Sequence, residues 1–269
     1  MKKLISFLFF ATAAFSLSAR ENNCTGKPKA QIGVSAQNQL SEHLRASQLN
    51  NITSGQDLLF MENKGQVTDQ FSKPRTDVDF SLKASAGLNI FIGNCFIHYQ
   101  FSKCDKAQAS KPSKSRLSIP GLHSEDPENG EADHSTYTMY RMDVQLIGAN
   151  KNAKLITEQE QGYYENYFTA AVGEKGATAH SYKRIIYKDI YPKIDWVLYT
   201  GGTQLKHEFV VREGGRVSDI KLKYGGATKL SLATDGRLEA QTPMGNITEQ
   251  APYSYTAGKE QVVCSFNLQ

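Results

Sequence analysis

The sequence predicts an all-β fold: a β-sandwich-like body of mostly antiparallel, hairpin-connected strands, about fourteen of them, preceded by a polar N-terminal arm. Three observations predict it. Apolar and polar residues alternate with period two in one segment after another, as half-buried strands require. Turn-forming pairs such as Gly93-Asn94, Asp235-Gly236 and Gly245-Asn246 fall between those segments. The stretch YKDIYPKIDWVLY at 187–199 sets aromatic residues, among them the sole tryptophan, Trp196, within β-forming sequence, which marks the centre of the core.

Taken in order, residues 1–19 read as a signal peptide. Lys2 and Lys3 precede an apolar run at 4–15, and small residues, Ser16, Ser18 and Ala19, follow. That run is short for a bilayer span, so export with cleavage after Ser18 or Ala19 is expected rather than a transmembrane segment. Arg20 follows Ala19 where a lipoprotein would place cysteine. Residues 20–57 are rich in Asn, Gln, Ser and Lys, with Leu40, Leu44 and Leu49 at helical spacing, and read as a polar arm or short helix. The β-rich domain is expected over 58–269.

Within it, ENKGQ at 62–66 reads as a structural turn. Val78, Phe80 and Leu82 alternate as a strand. LNIFIGNCFIHYQF at 88–101 reads as a hairpin turning at Gly93-Asn94, with His98 as a strand residue whose ring is satisfied by neighbours. Residues 103–135 break the pattern, first basic and then acidic, and read as a charged insertion. His123 and His134 bracket its acids, but no strand or helix spacing fixes a metal geometry there, so no metal site is assigned.

Tyr140, Met142, Val144 and Leu146 share a face, and a further strand is expected over 154–158. GYYENYF at 162–168 places four rings together, which read as core, with a sugar-stacking platform as the alternative. Strands flank a bend at Tyr191-Pro192, since proline donates no ladder hydrogen bond. Leu205, His207, Phe209 and Val211 share the next face, with His207 as a core histidine. Hairpins follow at Asp235-Gly236, Gly245-Asn246 and 257–259, and a last alternating run at 262–268 has the pattern of a strand cut from a longer protein.

Charge narrows the function. Loss of Lys2 and Lys3 lowers the formal charge from +4 to +2, and the remaining bases alternate with acids, unlike a nucleic-acid-binding surface. Four cysteines, Cys24, Cys95, Cys104 and Cys264, permit disulfides in an oxidising compartment. Extended chain would hold Cys95 and Cys104 ~30 Å apart, which sets that pair aside; the other pairings stay open, and Cys95 with Cys264 is the one expected here. No phosphate loop, GxSxG elbow, HExxH helix or CxxC occurs, so no catalytic residue and no cofactor is assigned.

ENKGQ at 62–66, YKDIYPKIDWVLY at 187–199, LKHEFVV at 205–211 and GNITEQAPYSY at 245–255 together resemble an amino-terminal domain of unknown function found in secreted, multidomain proteins of Bacteroidetes type. The likeness runs from about 58 to 268. The charged insertion and Trp196, where an aliphatic residue is common, depart from it. The resemblance implies a non-catalytic extracellular or cell-surface module that serves display, adhesion or assembly. Its partners would be other modules of the same exported protein or cell-surface components, glycans among them.

The alternative is a carbohydrate-active domain. It would bind through Tyr163, Tyr164, Tyr191 or Trp196, or hydrolyse through Asp189 and Asp195 as paired carboxylates.

Overall fold

The computed structural model describes residues 57–84, 87–105 and 136–269, together with the backbone of Ile5–Thr12. The polar arm at 20–56, Cys24, and insertion residues 106–135 with His123 and His134 lie outside the described residues. The fold is all-β and sandwich-like. Sixteen described strands pair antiparallel in one curled sheet: β1 (Ile5–Thr12), β2 (Phe60–Glu62), β3 (Phe80–Lys83), β4 (Leu88–Gly93), β5 (Phe96–Asp105), β6 (Thr136–Leu146), β7 (Lys154–Tyr167), β8 (Ala177–Tyr191), β9 (Ile194–Gly201), β10 (Gln204–Val211), β11 (Leu222–Gly225), β12 (Lys229–Leu232), β13 (Leu238–Thr242), β14 (Gly245–Glu249), β15 (Tyr253–Thr256) and β16 (Gln261–Val262). The one helical element among them is a single 3-10 turn, Val217–Asp219. No helix in this set is long and apolar enough to cross a membrane.

The strand order runs β11-β6-β5-β4-β3-β2-β8-β9-β10-β1-β14-β13-β12, with β7 beside β8 and β15 between β1 and β16. β11 and β14 stand far apart in that order, yet the Tyr224 hydroxyl donates to Glu249 at 2.5 Å. The sheet therefore closes on itself around one core, to which Phe60, Phe80, Tyr99, Met142, Trp196 and Ile247 all contribute.

Central placement explains the core's densest part. β9 is flanked by β8 and β10, so Tyr187, Trp196 and Phe209 are cross-strand neighbours in register. Their rings stack, Tyr187 on Trp196 at 5.4 Å between centroids and Trp196 on Phe209 at 6.4 Å. The indole N–H of Trp196 donates to His207 Nδ1 at 3.2 Å, so the histidine predicted to be core is core. Such stacking adds about 1 kcal/mol per pair beyond area burial.

Several turns differ from expectation. The β4–β5 hairpin turns on Asn94 and Cys95, with Cys95 at φ 77°, one residue later than Gly93-Asn94. Gly93 is instead the last residue of β4, where a Cβ would meet the Asp77 carbonyl at 2.1 Å. The β13–β14 hairpin closes at Thr242↔Gly245, two residues before the expected turn. The β12–β13 loop is longer than a two-residue turn, spanning 233–237. Lys103, Cys104 and Asp105 belong to β5 and not to an insertion, because they pair with 136–138 of β6. β16 ends at Val262, so the alternation at 262–268 is not one strand.

Cys95 and Cys264 are not bridged to each other and both remain thiols, which corrects the expected Cys95–Cys264 bridge. Cys264 Sγ lies 2.6 Å from the Ser254 hydroxyl and donates to the Pro252 carbonyl at 3.3 Å.

The ENKGQ turn is a hydrogen-bonded knot. The Asn63 side-chain amide donates to the carbonyls of Arg75 and Val78, both at 2.8 Å, and its oxygen accepts from the N–H groups of Gly65 and Val67. All four bonding positions of that amide are used. This pins β2 to the entry of β3 and fixes one wall of the groove described next.

Candidate functional site

The candidate site is a groove of about 400 Å³ on the outer face of the β3-β2-β8-β7 portion of the sheet, within the size range of small-ligand pockets. Alternation builds it. Residues 161, 163 and 165 of β7, 61 of β2, 81 and 83 of β3 and 183 of β8 face the same way, with Leu59 and Met61 forming the apolar part of the lining. β7 pairs only with β8 among the described strands, and its register shifts between Gln161 and Tyr164. A bulge at a sheet edge re-aims side chains, and here it leaves the tyrosines uncovered.

Tyr163 is 43% exposed and Tyr164 55% exposed, so GYYENYF is surface and not core. Phe168 is more open still, and Tyr167 is half-buried. The reason is positional: no described strand lies beyond β7 to cover these rings. Tyr163 lines the groove, whereas Tyr164 packs against His180 at 6.3 Å between centroids. The two therefore do not form one stacking platform. Tyr191 and Trp196, the other two candidates, are 2% and 0% exposed and have no face to offer a ligand. They are removed from the site because they lie on central strands.

Glu165 organises the groove's polar wall. The Tyr163 hydroxyl donates to its Oε1 at 2.8 Å, the Tyr167 hydroxyl donates to Oε2, and Lys83 Nζ lies 3.6 Å away. Burial pushes the Glu165 carboxyl up, but the two phenols and the ammonium outweigh it and hold it below the ordinary range. Burial and the neighbouring carboxylate push the Tyr163 phenol up to about 12. Across the groove, Lys183 and Asp57 pair at 2.6 Å. The lining thus presents a ring, carboxylates, ammonium groups and the Gln161 amide together.

The paired-carboxylate idea meets a different geometry. Asp189 and Asp195 share one guanidinium: Arg212 Nη2 donates to Asp189 and Arg212 Nη1 to Asp195 at 2.5 Å. Lys188 also donates to Asp195, and so does the Asp189 backbone N–H at 2.9 Å. Burial pushes the Asp195 carboxyl up, yet Lys188, that N–H and Arg212 together hold it below its ordinary range. This is a clamp on the β8–β9 hairpin. Asp189 sits at φ 52° in the register shift between Tyr187 and Tyr191, and Lys193 at φ 62° in the turn.

His98 is likewise tied down, with Nδ1 2.7 Å from Asp143, Arg141 against its ring and Phe96 stacked at 3.9 Å. A second cleft, about 780 Å³, contains Asp79, Cys95 and Tyr187. Burial raises the Asp79 carboxyl despite a 2.8 Å hydrogen bond from Tyr187, and burial raises the Cys95 thiol. Both groups are biased to their neutral forms, which makes the thiol a poor nucleophile. Among the described residues no group of His, Cys, Asp and Glu could hold a metal ion.

Sequence reasoning named Tyr163 but missed Lys83, Lys183, Asp57 and Glu165. The available signal was the alternation of Gln161, Tyr163 and Glu165, which puts one ring between two polar groups on a single face.

A family model described as Domain of unknown function (DUF7948) matches residues 60–269. No curated protein and no solved structure matches the chain.

Proposed function

We propose that this chain, which belongs to the family described as Domain of unknown function (DUF7948), is a non-catalytic module of an exported protein, serving adhesion at the cell surface by holding a saccharide in the Tyr163 groove. One observation carries the reading: an exposed ring beside an apolar strip, rimmed by both carboxylates and ammonium groups. Sugar hydroxyls donate and accept hydrogen bonds, so they need both kinds of partner. The apolar face of a pyranose needs a ring to lie against. Tyr163 is held in place by its bond to Glu165, which lowers the ordering cost of binding.

Export is supported by the pattern of Lys2, Lys3 and the apolar run that follows. The hydrolytic alternative has weaker support. Asp195 is held low by the cations around it, whereas a glycosidase needs one carboxyl held high as the acid.

A glycan array probed with the folded chain tests the reading, alongside Tyr163→Ala and Tyr164→Ala. The expected result is binding to a restricted set of saccharides that is lost in Tyr163→Ala and kept in Tyr164→Ala. Binding unaffected by Tyr163→Ala, or no binding by the parent chain, would overturn it.

A further inference from the structure

Among the described strands, β1 alone joins β10 to the group β12–β16. It pairs with β10 over seven positions, Ile5↔Val211 to Ala11↔Leu205. On its other edge it pairs with β15 from Ile5↔Thr256 to Leu8↔Tyr253, then with β14 at Ala11↔Glu249 and Thr12↔Thr248. β14 and β15 thus act as one interrupted strand facing β10 across a slot one strand wide.

Yet β1 lies within residues 1–19, whose sequence reads as an export signal. Its removal would open a long row of backbone N–H and C=O groups on β10 and a second row on β14 and β15. Open edges of this length, beside large apolar side chains, invite pairing with another chain. Leu205, His207, Phe209 and Val211 of β10 are all buried, as are Glu249 and Ser254 opposite.

The slot also specifies what fits it. Register sets positions 5, 7, 9 and 11 of β1 opposite the buried β10 residues. Those positions read Ile, Phe, Phe, Ala, and position 11 lies between Leu205 and Glu249. An occupant that repeats this pattern, three large apolar residues at alternate positions and then a small one, is set by register opposite the same buried β10 residues.

Resting on the export reading above, we infer that the slot between β10 and β14–β15 is a strand-acceptor site. After residues 1–19 are removed, it receives an extended apolar strand from another surface protein by β-augmentation. Main-chain hydrogen bonds to both walls supply the hold, and the alternate apolar positions supply the selection.

The test uses the full chain with a protease site inserted between Ala19 and Arg20, cut only after folding. The probe is a synthetic peptide of residues 4–13 flanked by lysines for solubility. A control peptide carries serine at positions 5, 7 and 9. The expected result is that the cut segment stays bound until excess probe displaces it. When the slot is emptied, β10 amides lose hydrogen-exchange protection by at least about tenfold, and the probe restores protection while the control does not.

Protection of β10 that persists with the slot empty, whether through a second copy or the chain's own residues, would overturn the inference. So would equal binding of probe and control. The N-terminal mass of chain recovered outside the cell tests export separately. A retained residue 1 would defeat the export reading and the release step, while leaving the displacement result to stand for the slot itself.

Discussion

Two stretches of this chain carry four aromatic rings each and end in opposite places. YKDIYPKIDWVLY at 187–199 forms the centre of the core, and GYYENYF at 162–168 forms an open edge. Composition does not separate them; neighbours do. β9 has a strand on each side, so Trp196 is sandwiched between Tyr187 and Phe209. β7 has β8 alone among the described strands, so Tyr163 keeps a free face beside Lys83, Lys183 and Glu165. An aromatic strand becomes core or open surface according to its place in the sheet order, which no local pattern encodes.

The comparison can be broken at its strongest point first. Trp196→Ala should cost about 4 kcal/mol in denaturant unfolding, because it empties a fully buried site between two stacked rings and orphans the bond to His207. A loss under about 1 kcal/mol would mean that the centre of the sheet is not the core.

Arg212→Met should cost about 2 kcal/mol, since it removes one of the cations beside the buried Asp195 carboxylate and leaves Lys188. The same clamp sets an acid limit. Asp195 is held below its ordinary range in the folded chain, so its contribution is full above the ordinary carboxylate pKa of about 4. That contribution is lost as pH falls through the lower folded value. Stability measured between pH 6 and pH 2 should therefore drop more steeply in the parent than in Arg212→Met. Parallel curves would remove Asp195 from the account of acid unfolding.

Tyr163→Ala is the small-effect end of the series. It should change stability by about 1 kcal/mol or less while reducing saccharide affinity on the order of tenfold or more. A large stability loss there would place Tyr163 with the core after all. In the parent, an NMR titration of the assigned Tyr163 ring should find its phenol ionising at about 12, and Glu165→Gln should bring it down by removing the adjacent carboxylate.

Much of the sheet was legible because alternation reports burial directly. Val78, Phe80 and Leu82, the face of Met142, Val144 and Leu146, and the face of Leu205, His207, Phe209 and Val211 were all read from spacing and are buried. Turns were legible only to within a residue or two. Gly93 looked like a turn glycine, but its place is dictated by the Asp77 carbonyl, a close approach from outside the hairpin.

The groove was the least legible feature. Its lining comes from residues near 57–61, 81–83, 161–165 and 183, which meet only once β3, β2, β8 and β7 are known to lie side by side. Tyr191 and Trp196 have the residue type of a sugar-stacking ring, but burial on central strands leaves them no face for a ligand.

Ring assignments by NMR test the central contrast most directly. With tyrosine and tryptophan side chains isotope-labelled, a saccharide identified on the array is titrated into the parent chain. The Tyr163 ring resonances should move with a saturating dependence on ligand, while the Trp196 indole resonance stays fixed. Movement of Trp196 with Tyr163 unmoved would contradict the assignment of the edge strand as the binding surface.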